Sequence, residues 1–490
     1  MHRDRVLIVD LNNFSTFPTL AVGILIASLR NSGCEVQLLS PLAHDVPATE
    51  REKAENYFDH IARRVHLSTW SPFRSTRDKI RSLRSLWLNR PHPRVLSETA
   101  KALRTRPDAI LLSAYLQHYS TVSEIGKMAR TAGIPILLGG PAFTIQATAE
   151  HWRHIPGLTA LVGGEVDLVL PEMVRVLRAG GDLLKFEGVV LPDGRRSAPA
   201  RPLRSLDLIP VPDFTDFPWD RYRVRIIPLM AGRGCQWNRC NFCSDIVSAS
   251  GRTFRSRSID MIMHEMREQA RRHATSNFLF LDLKLNSNPA IFRGIVEGVQ
   301  RNVRNAEWIG TVHVDQRRDN GLTRSDLNAA VAAGMRRVSF GLESGSQRML
   351  DAMDKGCSVE ANSEFIRHAY EAGLSVRCTM FKGFPGETAN DMELTAKFLE
   401  QHGNYLDRVR FNEFSIPAGT LIDRALRESP EQFSSIRALR INDRDARVEY
   451  INVETNGRAY RKAKRRALKM VYKINSRRIR SAAEAFDGLM

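Results

Sequence analysis

Short apolar runs that alternate with helical stretches constrain the fold of this 490-residue chain more than any other feature. Early runs such as "RVLIVDL" (5–11) and "DAILLSA" (108–114) are largely apolar, and a stretch with helical periodicity follows each. Strands buried on both faces and joined by helices form a parallel sheet. We therefore predict an α/β, doubly wound, Rossmann-like domain over residues 1–200, with a basic helical insertion at about 46–106. Its ligand should lie beyond the carboxyl ends of the strands.

Residues 201–222 interrupt the alternation. This stretch contains four prolines and few periodic apolar positions, which is typical of an extended linker. Strands and helices alternate again over residues 223–425 and give about six βα units, which predicts a partial (β/α)6 barrel of the TIM type. The chemistry of such a barrel lies in the loops that leave the carboxyl ends of its strands. Residues 426–490 are predicted to form a basic helical C-terminal extension.

Three of the six cysteines lie within nine residues, in the loop after the first barrel strand: Cys235, Cys240 and Cys243. Six cysteines in a chain of this length are too few for a disulfide scaffold, so we expect a reducing, cytoplasmic environment. The N-terminus shows no signal-peptide pattern, and no apolar run approaches the roughly 20 residues that span a bilayer. Clustered thiols in such a protein indicate a metal site.

The metal is the next question. A structural zinc site needs four protein ligands, and no histidine lies between residues 154 and 264. Cys357 or Cys378 could supply a fourth ligand through the fold, although the predicted strand around Cys378 and the position of Cys357 after a helix argue against this. Three thiolates with one open position suit a four-iron cluster. Spacing therefore favours iron–sulfur over zinc.

The stretch "RGCQWNRCNFCSD" (233–245) resembles the cluster-binding loop of the radical S-adenosylmethionine (radical SAM) superfamily, and the resemblance covers roughly residues 225–425. The usual spacing of this family leaves three residues between its first two cysteines, whereas this sequence leaves four. The resemblance implies that Cys235, Cys240 and Cys243 hold a [4Fe-4S] cluster whose open iron binds S-adenosylmethionine (SAM).

Three further stretches resemble family motifs at the expected places: "FLFLDLKLN" (278–286), "SFGLESGSQRMLDAMDKG" (339–356) and "FKGFPGET" (381–388). The resemblance implies that SAM contacts Asp282, Glu343, Ser344, Gly383, Pro385 and Gly386. It also implies an electron donor such as flavodoxin or ferredoxin. One electron cleaves SAM to methionine and a 5′-deoxyadenosyl radical, which abstracts a hydrogen atom from a small-molecule substrate.

The N-terminal region is similar to the cobalamin-binding domain that precedes the barrel in one radical SAM subfamily. The matching stretches are "SAYLQHYST" (113–121), "LLGGPAFT" (137–144) and "LVGGEVDLVLPEM" (161–173). The cobalamin contacts that this resemblance implies are Ser113, Tyr115, Gly139, Gly140, Gly163, Gly164 and Glu165. No Asp-x-His-x-x-Gly motif is present, so no histidine ligand to cobalt is nominated, and a domain that has lost cobalamin is the alternative.

The same resemblance favours one reaction class, that of the class B radical SAM methyltransferases. It implies cobalamin-dependent methylation of an unactivated carbon in a small-molecule or natural-product-type substrate. The alternative is a cobalamin-associated cyclase or rearrangement enzyme. Methylthiolation of transfer RNA is disfavoured, because that group carries a second cysteine trio in its N-terminal domain, where this chain has Cys34 alone.

The net charge of +18 is concentrated in two segments. Residues 51–106 hold 14 Lys/Arg against 5 Asp/Glu, and residues 457–480 hold 11 Lys/Arg and no acid. Solvated helix faces explain such segments, and so does an anionic partner. A metal-stabilised RNA-binding protein is therefore the rival from another class. It is disfavoured because no RNA-binding module is recognisable, and because the aromatic residues of the first segment have the helical spacing of core residues.

The segment at 458–480 is predicted to be one amphipathic helix. Its apolar stripe is Tyr460, Ala463, Ala467, Val471 and Ile474. In one interpretation this stripe packs on the barrel and the basic side chains are merely solvated. In the other, the basic face contacts an anionic membrane surface or an acidic carrier protein. The basic residues chosen for that interpretation are Arg461, Lys462, Lys464, Arg465 and Arg466.

Overall fold

The computed structural model describes residues 3–50, 52–244, 253–314 and 322–489. Two large sheets dominate it, and all neighbouring strands in them are parallel except one pair at an edge. Residues 201–222, between the two sheets, contain two short 3-10 turns and are otherwise extended or irregular. In these four ranges no helix combines the length and the apolar character that crossing a membrane requires.

The first sheet consists of six strands: β1 (Arg5–Asp10), β2 (Glu35–Leu39), β3 (Ala109–Ser113), β4 (Ile136–Gly139), β5 (Leu158–Val162) and β6 (Val189–Val190). Their order is β2-β1-β3-β4-β5-β6, and β6 runs antiparallel to β5. The helices that belong to this part of the chain are α1 (Leu20–Asn31), α2 (Tyr57–His66), α3 (Ser71–Leu88), α4 (Pro93–Leu103), α5 (Tyr119–Ala132), α6 (Gln146–Trp152) and α7 (Leu170–Arg178).

Both faces of the first sheet are covered by helices. Val6 and Ile8 of β1 join a core cluster that contains residues of α1 and α7. Leu7 and Val9, which point to the opposite face, join a second cluster with residues of α4 and α5. The predicted doubly wound domain is therefore confirmed, and the strands are apolar throughout because neither face meets water.

Helices α2 and α3 lie in the basic insertion. One expectation for this segment is wrong. Tyr57, Trp70 and Trp87 have the spacing of core residues, yet their exposed fractions are 61%, 54% and 59%. Helical spacing predicts that apolar residues share one face, but it does not determine whether another element covers that face.

The second sheet also has six strands: β7 (Ile227–Leu229), β10 (Asn277–Phe280), β11 (Glu307–Val312), β12 (Met335–Glu343), β13 (Ser375–Lys382) and β14 (Arg408–Glu413). A short antiparallel pair, β8 (Gly232–Gly234) and β9 (Phe254–Ser256), follows β7. The six strands are parallel and adjacent in chain order, which confirms the predicted partial (β/α)6 barrel. Its helices are α8 (Ile259–His273), α9 (Pro289–Asn302), α10 (Arg324–Ala332), α11 (Gln347–Ala352), α12 (Val359–Glu371) and α13 (Ala389–His402).

The sequence predicts a wholly helical C-terminal extension, but the structure contains strands as well as helices there. Its elements, with the strand that leads into it, are β15 (Ile416–Pro417), α14 (Leu421–Glu428), β16 (Ile436–Asn442), β17 (Arg447–Asn452) and α15 (Arg458–Asn475). Strands β15, β17 and β16 form a small antiparallel sheet. The turn between β16 and β17 has its own hydrogen bond, from the backbone N–H of Asp445 to the side chain of Asn442 (3.1 Å). A tight polar turn between two β-prone runs favours a hairpin over a continuous helix.

Helix α15 packs its apolar stripe on the barrel, as one of the two interpretations predicted. Tyr460, Ala467, Val471 and Ile474 are fully buried, and α15 lies against α13 and β14. Lys462, Arg465 and Lys469 of this helix stay exposed, so contact of its basic face with an anionic surface remains a prediction. Arg466 forms ion pairs with Glu393 and Glu400 on α13.

Lys464 was assigned to the basic face, and that assignment is wrong. Its side chain is buried, and its Nζ donates to the carbonyl of Leu67 (2.6 Å) and to Oγ1 of Thr69 (3.2 Å). Burial first, and then the charge of Lys382, lower the pKa of Lys464 to about 7. Position 464 follows the buried Ala463, so the helix presents it to the insertion and not to solvent.

The packing of α15 can be tested at Leu468, which is 1% exposed. Leu468→Ala should lower the free energy of unfolding by about 2–5 kcal/mol, because it leaves a cavity between α15 and the barrel. The exposed neighbour Lys469 is the matched control, and Lys469→Ala should change stability by less than about 0.5 kcal/mol. Urea denaturation followed by circular dichroism measures both. Equal, small effects would contradict a packed α15.

Candidate active site

The cysteine loop begins directly after β8, where the backbone leaves no room for a side chain. Gly234 has a φ of +88°, and a Cβ there would lie 1.8 Å from the carbonyl oxygen of Thr253. Glycine is therefore required for β8 to pair with β9. This pair forms the base of the loop, and Cys235 is the first residue beyond it.

The structure places Cys235, Cys240 and Cys243 on one loop, each half-buried and none in a disulfide. The backbone N–H of Cys243 donates to the carbonyl of Cys240 (3.4 Å), so the last two thiols share a tight turn. Across the described ranges no three His, Cys, Asp or Glu side chains are grouped closely enough to hold a metal ion. Joint ligation of a cluster by the three cysteines of this loop therefore stays a prediction.

The longer spacing between the first two cysteines has a structural explanation. Asn238 adopts a left-handed conformation (φ +39°), which lets the loop turn within the additional residue. Trp237 is buried, and its Nε1 donates to the carbonyl of Asp354 (2.6 Å). Its ring lies against Gly356, where a Cβ would come within 2.2 Å of it. Arg239 adds an ion pair with Asp354 (3.1 Å).

A buried ion pair lies beside the cysteine loop. Nζ of Lys355 donates to Oε1 of Glu343 (2.9 Å), and both side chains are less than 10% exposed. Burial raises the pKa of Cys240 to about 11, although the charge of Lys355 opposes that rise. Burial alone would lower the pKa of Lys355, but Glu343 and the neighbouring thiols raise it, so the ammonium group persists. A permanent cation beside Cys240 suits an anionic cluster.

Asp282 lies beneath the base of the loop. Its carboxylate accepts hydrogen bonds from the backbone N–H groups of Ala231 (3.0 Å) and Gly232 (2.6 Å). Burial raises its pKa to about 7, against the effect of these hydrogen bonds. Asp282 thus fixes the connection between β7 and β8, and a contact with SAM stays a prediction.

Glu343 and Ser344 lie at the carboxyl end of β12. Glu343 has a φ of +58°, which is rare for a residue other than glycine and is stabilised here by its pairing with Lys355. The hydroxyl groups of Ser344 and Thr395 are hydrogen-bonded (3.2 Å). The two predicted residues therefore share the strand end beside the cysteine loop, and their contact with SAM stays a prediction.

Gly383, Pro385 and Gly386 form the turn after β13. Both glycines have positive φ values, +84° and +79°, and no atom lies within 4 Å of the position of a Cβ at either. Their conformation, and not crowding, requires glycine. The carbonyl of Gly383 accepts from the hydroxyl of Tyr450 (2.5 Å), which fixes the turn to β17.

The buried carboxylate of Glu387 holds the same turn from within. It accepts from the backbone N–H of Gly383 (2.5 Å) and from the hydroxyl of Tyr460 on α15 (2.7 Å). Burial raises its pKa to about 7. Sequence reasoning missed Glu387, Tyr450 and Lys355, although Glu387 and Lys355 both lay inside recognised motifs.

The predicted cobalamin contacts separate into two groups. Ser113 and Tyr115 follow the carboxyl end of β3, and Tyr115 is 48% exposed. A Cβ at Gly163 would lie 2.6 Å from the backbone of Phe143, and one at Gly164 would lie 2.4 Å from Cβ of Ala200. The protein itself makes the close approach at these two glycines, whereas the sequence had suggested a planar ligand. Gly139 and Gly140 have ordinary contacts, at 3.5 Å or more.

Glu165 is engaged in a buried ion-pair network that joins the two sheets. Its carboxylate receives both terminal nitrogens of Arg255 (2.7 and 2.8 Å) and lies 3.5 Å from Arg233. Asp167 forms a similar bidentate ion pair with Arg233 (2.7 and 2.8 Å). Although burial opposes ionisation, Arg255 and Arg233 keep the pKa of Glu165 below its ordinary value. The expectation that Glu165 contacts cobalamin gives way to this role, because the arginines of β8 and β9 occupy both of its oxygens.

A large cavity lies between the carboxyl ends of the two sheets, with a volume of about 1270 Å³. Tyr115 and Gln117 line it after β3, Gly383 after β13 and Phe414 after β14. This is the place at which ligands of both fold types bind. Phe242, between the second and third cysteines, packs on Phe414 with ring centroids 6.2 Å apart. The cysteine loop therefore touches the cavity wall.

The cavity wall carries more positive than negative charge, with seven Arg or Lys and four Asp or Glu among its lining residues. Glu413 is paired with Lys382 (2.6 Å) and Arg81 (2.8 Å). Burial alone would raise the pKa of Glu413, but the two cations hold it at about 2. Since this carboxylate is already neutralised, the remaining positive charge favours anionic ligand groups.

The buried network around Glu165 can be measured with a double-mutant cycle. Glu165→Gln should cost about 3–5 kcal/mol of stability, because it leaves the guanidinium of Arg255 buried without its carboxylate. The combined Glu165→Gln/Arg255→Gln variant should lose less than the sum of the two single variants. Chemical denaturation gives all the values.

The exposed pair Glu124–Lys127 is the matched control. The same cycle on that pair should give a coupling below about 0.5 kcal/mol. Additive effects at Glu165 and Arg255 would contradict a coupled, buried network.

Comparison with known proteins agrees with this geometry. Residues 229–399 match the family described as the Radical SAM superfamily. An uncharacterised methyltransferase of Pyrococcus horikoshii is 28% identical over 62% of this chain and 67% of its own length. The bacteriochlorophyllide d C-12(1)-methyltransferase of Chlorobaculum tepidum is 24% identical over 63% of each chain. The anaerobic magnesium-protoporphyrin IX monomethyl ester cyclase of Rubrivivax gelatinosus is 27% identical over 50% of this chain and 45% of its own. The chain thus spans about two thirds or less of these relatives.

Two solved structures share the fold over nearly the whole chain. The radical SAM methyltransferase TsrM from Kitasatospora setae, with cobalamin and a [4Fe-4S] cluster bound, has a TM-score of 0.62 and 15% identity. The alignment covers 90% of this chain and 81% of TsrM. The cobalamin-dependent radical enzyme OxsB has a TM-score of 0.67 and 15% identity, and the alignment covers 92% of this chain and 65% of OxsB. At this identity the likeness extends to the fold alone.

Proposed function

The chain carries a radical SAM domain, and from this premise we propose that it is a cobalamin-dependent enzyme that methylates a carbon atom of a small-molecule substrate. The observation that supports the proposal most directly is a cavity between the two sheets. It joins the strand ends of the N-terminal domain to those of the barrel, and the wall residue Phe414 contacts the cysteine loop. A cofactor held by one sheet and a cluster held by the other would thus meet around one substrate.

The donor set fits a [4Fe-4S] cluster and SAM. Cys235, Cys240 and Cys243 would hold the cluster, with the Lys355 ammonium group beside them to balance its negative charge. The turn at 383–386 would hold SAM, because no protein atom lies next to its two glycine Cα atoms on the side-chain side. The hydrogen bond from Gly383 to Glu387 fixes the conformation of the turn. When bound and reduced, these groups supply a 5′-deoxyadenosyl radical. The buried walls of the barrel keep water from it.

The cavity also fits a cofactor in addition to a substrate. Its volume of about 1270 Å³ exceeds the roughly 300–1,000 Å³ that is typical of a small-molecule site. Ser113 and Tyr115 would lie against cobalamin, since they follow β3 and Tyr115 lines the cavity. Residues 163–165 would position that site without contacting cobalamin themselves. Backbone and Ala200 lie close to Gly163 and Gly164, and Arg255 binds Glu165. Cobalamin supplies a transferable methyl group when bound.

Cyclisation is the second candidate reaction. The similarity to the cyclase of Rubrivivax gelatinosus favours it, since methyltransferases and a cyclase both align with this chain. Both reactions need a reducing partner, for which flavodoxin or ferredoxin is the proposed class. The two candidates differ in what they release, because methyl transfer consumes a second SAM molecule as the methyl source and cyclisation does not.

The cluster assignment predicts the behaviour of a triple variant. After anaerobic reconstitution, Cys235→Ala/Cys240→Ala/Cys243→Ala should contain no stoichiometric iron or sulfide and should not release 5′-deoxyadenosine from SAM. Cys34→Ala is the control, since Cys34 lies in the N-terminal domain, and it should keep both properties. A triple variant that retains iron and sulfide would refute the assignment.

The cobalamin site predicts a separate result. Wild-type protein reconstituted with hydroxocobalamin should retain about one corrinoid per chain after gel filtration. Tyr115→Ala should retain less corrinoid with unchanged iron content, because it removes a ring from the cavity wall. Leu208→Ala, at an exposed linker residue, is the control. Turnover of a candidate substrate to S-adenosylhomocysteine and 5′-deoxyadenosine together would support methyl transfer. A product formed with 5′-deoxyadenosine alone would support cyclisation and contradict the methyltransferase assignment.

A further inference from the structure

Helix α3 is oriented with its apolar stripe away from the protein. Ile80, Leu83 and Trp87 are spaced by three and four residues, so they lie on one face of the helix. Their exposed fractions are 55%, 68% and 59%. A helix on the surface of a globular protein normally turns such a stripe toward the core. Here the stripe is left without cover by any described part of the chain.

The opposite face of α3 is polar and is held against the cavity. Arg77 is buried and pairs with Asp78 (2.7 Å). Arg81 pairs with Glu413 of β14 (2.8 Å). Rotating the helix to bury its apolar stripe would break the link to the barrel and would move these charges into solvent. The outward direction of the stripe is therefore built into the fold.

Positive charges flank the stripe on both sides. Residues 71–90 contain six Lys or Arg and one Asp. At 100° per residue, Arg84 lies on one side of the stripe, and Lys79 and Arg90 lie on the other. The guanidinium of Arg90 lies 5.0 Å from the ring centre of Trp87. Aliphatic and tryptophan side chains bordered by cations are the composition of helices that lie in a membrane interface.

We propose that α3 docks on the surface of an anionic lipid bilayer. Ile80, Leu83 and Trp87 enter the boundary between headgroups and acyl chains, and the flanking cations contact lipid phosphates. A second copy of the chain fits less well, because pairing two such helices would place like charges together. Nucleic acid fits less well too, because phosphates offer nothing to exposed Ile80 and Leu83.

Docking at α3 also indicates a substrate class, and this step rests on the proposed function. Leu86 and Leu88 line the cavity and are 65% and 58% exposed, so they mark its rim. A bilayer against α3 would therefore lie beside the cavity opening. The positively charged wall behind that opening suits an amphiphile with an anionic headgroup, which could pass from the membrane into the site.

Vesicle binding by the full chain tests the docking without reference to catalysis. Wild-type protein should co-sediment with phosphatidylcholine vesicles that contain phosphatidylglycerol at 0.1 M salt, and binding should fall at 1 M salt, where the Debye length is about 3 Å. Ile80→Ser/Leu83→Ser/Trp87→Ser should weaken binding roughly tenfold or more. Lys79→Gln/Arg84→Gln/Arg90→Gln should weaken it to a similar degree. Leu208→Ser/Leu439→Ser, at exposed leucines elsewhere, should bind like the wild type.

The depth of Trp87 provides a second readout. Phosphatidylglycerol vesicles with brominated acyl chains should quench part of the tryptophan fluorescence of the wild-type protein, and Trp87→Phe should lose that quenching. Three results would overturn the proposal. The first is equal vesicle binding by the wild type and the Ser variant. The second is a wild-type dimer in solution that is replaced by a monomer in the Ser variant. The third is displacement of the wild type from vesicles by transfer RNA but not by salt. None of them bears on cluster or cobalamin content.

Discussion

Two bidentate ion pairs determine how the two sheets face each other. They join Glu165 to Arg255 and Asp167 to Arg233. The two carboxylates follow β5 of the first sheet, and the two arginines belong to β9 and β8 at the base of the cysteine loop. All four side chains are less than 20% exposed, so each pair is stabilised by its partner and would be costly to break. The network therefore fixes the loop after β5 of the first sheet against the β8–β9 pair at the base of the cysteine loop.

The other end of the barrel is sealed by the chain itself. Arg337 and Arg377 lie near the amino ends of β12 and β13, and Glu52 of the insertion binds both (3.4 and 2.8 Å). The guanidinium of Arg337 also donates to the carbonyls of Phe486 (3.1 Å) and Leu489 (3.2 Å). The N-terminal insertion and the C-terminal residues thus close the amino end together. Access to the barrel interior is left to the carboxyl end, where the cavity lies.

The sequence predicts those features that depend on neighbours along the chain. The apolar strands, the helices between them and the cysteine spacing follow from local pattern, and so do the open glycine turns at Gly383 and Gly386. The contact of Trp237 with Gly356 and the pairing of Glu165 with Arg255 join residues about 90 to 120 positions apart. No periodicity encodes such contacts. The same limit explains α3, whose stripe was visible while its outward direction depended on the pairing of Arg81 with Glu413.

Lys464 is buried beside Thr69, which lines the cavity. Its ammonium group is bonded to Leu67 and Thr69, which should favour the charged form, yet burial and then the charge of Lys382 lower its pKa to about 7. The charge of Glu413 opposes this shift, but it does not cancel it. Burial is the larger cause of this lowered pKa, and the positive charge of Lys382 adds to it. The cavity wall itself carries seven Arg or Lys and four Asp or Glu, so its net positive charge favours an anionic ligand group.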